Sequence, residues 1–281
     1  MLAIIGGTGL YQLEAIEDLE RVTVQTPFGA PSAPITLGRI GSTRVAFLPR
    51  HGESHEILPG EVNFRANIHA LKKLGVRTVI GVSAVGSLSE EIEPGHFILP
   101  DQYLDFTRSA RPSTFFGDGL VAHISTAEPT CRILADELEA LIRSHGHVVH
   151  PRGTYACVEG PRLGNKAESH FFRTLGCKLV GMTNVPEVYL AREAQLRYVT
   201  IAIATDYDCW MEDPARHVSV EQVFPLYREG VEKIKKVLAE FATRYQPRED
   251  VPARHALRGA VLTARERLSE QKRSLLQVLE S

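Results

Sequence analysis

Asp206 and Asp208 stand two residues apart, just after the apolar run Val199 to Ala204. At the end of a buried strand such a pair has three uses. One carboxyl, taken out of water, can hold a proton and serve as a general acid. The pair can instead cap a helix, or it can join a metal site, although no third ligand lies nearby in sequence. Gly6-Gly7-Thr8-Gly9 follows a second apolar run, Leu2 to Ile5. Glycines there bring backbone N–H groups up to an anion, with the Thr8 hydroxyl added, or simply make a tight turn. The dinucleotide fingerprint is not met, because Gln12 occupies the third glycine position, and the P-loop lysine is absent. A small oxyanion such as phosphate suits so short a loop better than a pyrophosphate.

Three further segments share this placement. Pro49-Arg50-His51-Gly52 offers a planar fork and a neighbouring imidazole to phosphate oxygens, or an ordinary surface arginine in a turn. Ser83-Ala84-Val85-Gly86-Ser87 is small enough for a ligand to approach the backbone closely. Met182-Thr183-Asn184 precedes a helical segment whose N-terminus favours an anion near Thr183, while Met182 equally suits core filling.

Chemistry at these places requires a scaffold that gathers strand ends. Short β-branched runs alternate with helical patterns through most of the chain, which predicts an α/β fold with a central sheet. In such folds ligands bind at the carboxyl ends of strands. Strands are expected at 2–5, 44–48, 78–82, 97–99, 153–158, 178–182 and 198–204. Helices are expected at 62–74, 128–145, 165–175 and 187–196, and one long helix should start at Ser219 with Gln222 completing a capping box. Ile133, Leu134, Leu138, Leu141 and Ile142 form the predicted buried stripe of the second helix. The stretch from Asp105 to Asp118 has no period and reads as a surface loop. Residues 1–245 form the expected domain. Residues 246–252 read as a linker, and Thr263 to Leu279 as an amphipathic C-terminal helix with Leu268, Leu275, Leu276 and Leu279 on its apolar side.

Composition narrows the function. The 281 residues carry a formal net charge of -2 with 43% hydrophobic residues, ordinary for a globular protein and unlike the basic face of a nucleic-acid binder. No apolar run reaches the ~20 residues of a membrane span, and the N-terminus lacks a signal-peptide pattern. The four cysteines (Cys131, Cys157, Cys177, Cys209) form no metal or redox motif and fit buried thiols in a reducing, cytoplasmic compartment.

The five segments also occur together elsewhere. With Glu159-Gly160-Pro161-Arg162, Ala167-Glu168-Ser169 and Pro186-Glu187, and in this order over residues 1–243, the chain resembles the trimeric purine nucleoside phosphorylase superfamily, and within it the 5′-methylthioadenosine phosphorylases. The resemblance implies a single domain with a central mixed, partly barrel-like sheet flanked by helices, and phosphate held by Thr8, Arg50, His51, Ser83, the backbone of Ala84, and Thr183. It places Met182 under the ribose, His55 near phosphate and sugar, Asp206 at purine N7 as the catalytic acid, and Asp208 at the exocyclic amine. His123 would reach the sugar's 5′ end from a neighbouring subunit of a homotrimer or of a dimer of trimers. Relatives preferring 6-oxopurines carry Asn where Asp206 stands.

Val220, Val223 and Phe224 present an apolar face suited to a 5′-methylthio group. Leu163 replaces a usual Phe beside the base, Gly164 replaces a Ser that helps choose it, and Asn184 stands where several relatives carry Thr. The implied activity is phosphorolysis of a methylthio-nucleoside, with phosphate as co-substrate and neither metal nor organic cofactor. The alternatives are a phosphorylase of broader or 6-oxopurine specificity, a hydrolytic nucleosidase, and a non-catalytic purine- or phosphate-binding module.

Overall fold

A computed structural model describes residues 1–7, 10, 16–108, 111–213 and 218–281, without the side chains of Val220 and Gln222. Strand β1 (Leu2–Gly6) lies between β4 (Thr43–Pro49) and β5 (Thr78–Ser87), parallel to both. Its four apolar residues alternate across the sheet, as strand geometry requires. Leu2 and Ile4 join one buried cluster, and Ala3 and Ile5 the other. Beyond β4 the sheet continues through β3 (Ile35–Ile40) to β2 (Glu17–Val22), both antiparallel additions. Strand β11 (Arg197–Asp206), with all ten residues buried, runs parallel along β5.

On the other arm of the sheet, β10 (Cys177–Gly181) meets the far end of β5 antiparallel, and β9 (Thr154–Val158) and β7 (Gln102–Phe106) follow, each parallel to its neighbour. Two short strands, β6 (Phe97–Ile98) and β8 (Val149–His150), extend the sheet from β11. The result is the expected mixed sheet flanked by helices.

Helices fill both faces. Helices α1 (Phe64–Lys73), α4 (Asn184–Glu193) and α6 (Glu270–Glu280) share a cluster on one face, while α2 (Arg132–Ser144) and α5 (Val220–Arg244) pack on the other. Asn63 caps α1 by accepting from Ala66 N–H, and Gly75, at φ +86°, ends it in the left-handed conformation.

Several expectations are corrected. Strand β5 does not end at Val82: Gly86 and Ser87 pair with β10, so the small residues 83–87 belong to the sheet. The stretch after Asp105 is not wholly surface, because β7 runs to Phe106 and Arg111 and Phe115 are buried. Ile133 is exposed, and Ala135 takes its place in the buried stripe of α2. Ser219 starts α5 but makes no side-chain capping bond, and Gln222 lies outside the described side chains.

The C-terminal helix forms only from Glu270, capped by Ser269. Its expected apolar side is nonetheless right: Leu268, Leu275, Leu276 and Leu279 are all buried against the α1 and α4 face. This tail is therefore part of the core. Leu276→Ala, at a site 1% exposed, should lower unfolding free energy by about 2–5 kcal/mol in a denaturant titration. A change within a few tenths would mean that the tail is only loosely docked.

Candidate active site

Strands β1, β4, β5 and β11 are mutually parallel, so their carboxyl ends meet at one edge of the sheet. Antiparallel β10 brings its own carboxyl end back beside the middle of β5, which sets Met182 and Thr183 near Ser83 and Ala84. A cavity of about 660 Å³ opens there. Its walls include Gly7, Arg50, His51, His55, Ser83, Ala84, Leu163, Gly164, Met182, Thr183, Asp206 and Asp208, closed on one side by Val223, Phe224 and Tyr227 of α5. Most of the site residues expected from sequence thus share one wall.

One half of the cavity offers hydrogen-bond donors that could receive an anion. The Ser83 hydroxyl is buried and has no hydrogen-bond partner among the described residues, a costly state unless a ligand accepts from it. Ala84 lies beside it, and Thr183 opens α4 without spending its side chain on a capping bond. Gly7 faces this half, where a Cβ would lie 3.0 Å from the Tyr227 hydroxyl, so a side chain here would press on the phenol.

Arg50 is 1% exposed and is already engaged. Its Nε and Nη2 donate to Glu187 at 2.7 and 2.8 Å, and Nη1 donates to the Val82 carbonyl at 3.0 Å. Glu187, itself fully buried, also accepts from Tyr198 at 2.8 Å. This acid raises the pKa of Arg50 even against burial.

The His51 Nδ1 lies 2.9 Å from the Ile57 carbonyl. Burial first, and the Arg50 charge second, push its pKa down to about 4. With the tautomer assigned from that carbonyl, Nδ1–H is the donor and Nε2 keeps a lone pair. A neutral His51 therefore accepts a hydrogen bond from a hydroxyl, and donates through Nε2 only after gaining a proton. His55 lines the same region, its ring 4.7 Å from that of His51.

The other half is acidic. The ladder between β5 and β11 slips between Ala204 and Asp206, leaving Thr205 outside the register and Asp206 opposite Gly86. Such a bulge re-aims the next side chain. Asp206 is 6% exposed; it accepts from Thr205 Oγ1 at 2.7 Å and from the Asp208 N–H at 2.8 Å. Burial outweighs both bonds and raises its pKa to about 6, with the Asp208 charge adding to the rise.

Asp208 is buried and sits at φ +50°. Ser169 Oγ donates to its carboxylate, and burial raises its pKa too. A Cβ on Gly164 would fall 2.6 Å from Asp208 Oδ1, so a side chain at 164 must displace this carboxylate.

Some expected residues stand apart. His123 is exposed and is absent from the cavity wall; its backbone N–H donates to Ala260 of the tail at 3.0 Å. Thr8 lies outside the described residues, as does the side chain of Val220.

Other residues at the site were not singled out as site residues by sequence. Arg111 donates to the carbonyls of Met182 at 2.8 Å and Val185 at 2.9 Å, and pairs with Glu159 at 3.0 Å, tying the Met182 turn to the Glu159 turn. Glu187, Ser169 and Tyr227 brace Arg50, Asp208 and the Gly7 loop. Glu187 and Ser169 lie inside motifs that sequence could mark, whereas no local signal distinguishes Arg111 or Tyr227.

Chemically, the arrangement offers hydrogen-bond donors for an oxyanion on one side and a carboxyl near its titration point on the other. Between them there is room for an organic substrate.

Comparison with known proteins gives a consistent picture. Residues 1–243 match the family model of the phosphorylase superfamily. The chain is 44% identical over 279 residues to the S-methyl-5′-thioadenosine phosphorylase of Geobacter sulfurreducens, covering 99% of this chain and 97% of that protein. Among solved structures, a methylthioadenosine phosphorylase from an Antarctic soil metagenomic library superposes with a TM-score of 0.92 at 42% identity, over 99% of this chain and 98% of the other. A mutant adenosine/methylthioadenosine phosphorylase of Schistosoma mansoni, in complex with methylthioadenosine, gives 0.81 at 36% identity over 86% and 90%.

Proposed function

The chain belongs to the phosphorylase superfamily, and from that premise we propose that it cleaves S-methyl-5′-thioadenosine with phosphate, giving adenine and 5-methylthioribose 1-phosphate. The observation that carries this reading is the pairing in one cavity of a buried Ser83 hydroxyl, without a partner among the described residues, with an Asp206 carboxyl whose pKa burial raises to about 6. One suits an oxyanion, the other a leaving heterocycle.

In the reaction a phosphate oxygen attacks C1′ while the C1′–N9 bond breaks and its electron pair passes to the purine. The sugar is cationic in between, so a bound phosphate both stabilises it and supplies the nucleophile. Ser83, the backbone of Ala84, Thr183 and the remaining N–H of Arg50 hold the anion, with Thr8 assigned to the same group by resemblance. His51 accepts from a sugar or phosphate hydroxyl. Met182 lies beneath the ribose and bonds its hydroxyls through the backbone, in a turn that Arg111 fixes by donating to the Met182 carbonyl. Asp206 gives its proton to N7, and Asp208 accepts from the 6-amino group. The reaction needs no metal or organic cofactor, phosphate being the co-substrate.

Substrate choice follows from the two ends of the cavity. Val223 and Phe224 present an apolar wall to the 5′-methylthio group, with Val220 assigned to the same group by resemblance. A 5′-hydroxyl there would go unpaired, at a cost of about 1–3 kcal/mol. Gly164 leaves Asp208 in place for the amine, and Leu163 covers the base.

The assembly we infer is a homotrimer, or a dimer of trimers. It would let His123, exposed beside the half-exposed Val121, reach a neighbour's 5′ subsite. Residues 1–245 then carry the site, and 246–281 hold the His123 segment from behind. Four free, buried cysteines suit a cytoplasmic setting, and no described helix is long and apolar enough to cross a membrane.

The deciding measurement is adenine release with phosphate varied. Release that saturates with phosphate, matched one to one by sugar phosphate, is the expected result. Phosphate-independent release would mean hydrolysis and would sink the reading. A panel of methylthioadenosine, adenosine, methylthioinosine and inosine then ranks specificity, with the first expected to give the highest kcat/KM.

A further inference from the structure

The phosphate half has a charge problem. A phosphate dianion must enter a cavity that already contains Asp206 and Asp208, yet its buried arginine is neutralised before the anion arrives. Arg50 is held by Glu187 through two bonds with both partners almost wholly out of water. It can direct a hydrogen bond but adds little net attraction. His51 is kept neutral by burial and by Arg50. Lys235, at the far end of the α5 wall, is taken by Glu232 at 2.6 Å.

Among the described arginines and lysines lining the cavity, this leaves Arg228, which makes no hydrogen bond or ion pair with a described residue and is exposed to solvent. Its place on the helix is informative. Phe224, Arg228 and Glu232 recur at every fourth residue and so share a face of α5, and all three line the cavity. The preceding residue, Tyr227, carries the hydroxyl that lies beside Gly7 in the anion half. Arg228 thus stands at the solvent-exposed mouth of the cavity, one residue along α5 from the tyrosine beside Gly7.

We propose that Arg228 draws phosphate into the site, supplying the uncompensated positive charge that the buried Arg50–Glu187 pair does not. The inference rests on phosphate being the co-substrate. An exposed guanidinium works through the field at the mouth rather than through a fixed bond, raising the local concentration and capture rate of a doubly charged ion while leaving an uncharged nucleoside indifferent. Such an effect fades as salt screens it.

The test varies phosphate at saturating methylthioadenosine, at low ionic strength and again near 0.5 M KCl. In Arg228→Gln, KM for phosphate should rise about three- to tenfold at low salt, with the loss appearing in KM and KM for the nucleoside unaltered. Most of the gap to wild type should close at high salt. Arg228→Lys should restore low-salt capture, and Arg228→Glu should weaken it beyond Arg228→Gln. A phosphate KM equal to wild type at low salt would show a solvated surface arginine and overturn the proposal. A deficit that persists at high salt would overturn it as well, since that marks a structural role. If the wild-type reaction ignores phosphate, the functional reading fails separately; thermal shift with inorganic phosphate alone, in wild type and Arg228→Gln, then still decides whether this residue serves an anion.

Discussion

Asp206→Asn should lower kcat for methylthioadenosine by two to four orders of magnitude, the usual worth of a positioned general acid. Burial pushes both cavity carboxyls, Asp206 and Asp208, toward protonation, and it raises the pKa of Asp206 to about 6. An amide keeps the shape and can still accept the Asp208 N–H, but it has no proton to give a leaving purine. The pH dependence has a definite sign. In the free enzyme the protonated, competent form dominates below about pH 6, so this group makes kcat/KM fall as pH rises past that point. Ionisation of phosphate to the dianion works in the opposite direction, giving a bell. In Asp206→Asn the alkaline decline should disappear while the acid limb stays. A variant retaining both limbs, or most of its kcat, would assign the proton to another group.

The same substitution should act on stability in reverse. Because the folded pKa lies above the ordinary 3.8, Asp206 supports the fold fully below about pH 4, and that support is lost as pH rises through about 6. The window corresponds to on the order of 3 kcal/mol for a group this thoroughly buried. The Asn variant does not titrate, so its stability should be flatter between pH 4 and 8. Against wild type, its relative Tm should improve toward pH 8. Activity and stability pull apart at Asp206 because a buried acid is useful for the same reason that it is costly.

How much of this site sequence could reveal depends on the range over which each feature is encoded. Strand β1 and helix α1 are local: an apolar run ending in glycines, and an apolar stripe ending at Gly75. Both emerge close to where they were expected. Strand β2 reads Glu-Asp-Leu-Glu-Arg-Val and is almost wholly exposed, so it shows no hydrophobic signature and forms only because β3 offers it an edge. Residues 83–87 look like a loop because they are small, and they belong to β5 through distant partners, β11 along Ser83 to Gly86 and β10 at Gly86 and Ser87.

The site divides in the same way. Strand-end residues such as Arg50, Thr183 and Asp206 are legible because the fold class fixes where ligands go. What holds them is not. Glu187 lies 137 positions from Arg50, and Arg111 reaches Met182 from an aperiodic stretch. Ser219 and Ile133 show the converse: a good local signal is left unused once tertiary packing has decided the geometry.

Arg50 is where that long-range encoding has the largest consequence. Sequence assigns it to the anion alone, so truncation would be expected to raise KM for phosphate and little else. The structure adds a second role, because Arg50→Ala strands a carboxylate, Glu187, with no access to water. Removing one partner of a buried ion pair costs about 3–5 kcal/mol, enough to lower Tm by about 6–20 °C in a chain of this size. Arg50→Ala should therefore lose stability and phosphate saturation together, and its poor activity alone would not separate the causes.

The double variant Arg50→Met/Glu187→Leu does separate them. It replaces the pair by apolar side chains, which is often neutral or stabilising, and Tyr198 keeps Thr200 as a hydrogen-bond partner at 2.9 Å. Most of the lost unfolding free energy should return, while phosphate should neither saturate the reaction nor raise Tm. Equal instability in the single and double variants would mean that Arg50 acts through its bond to the Val82 carbonyl rather than through Glu187. Retained phosphate saturation in the double variant would remove Arg50 from the anion site, leaving Ser83, Ala84 and Thr183 to hold phosphate by hydrogen bonds and Arg228 to attract it.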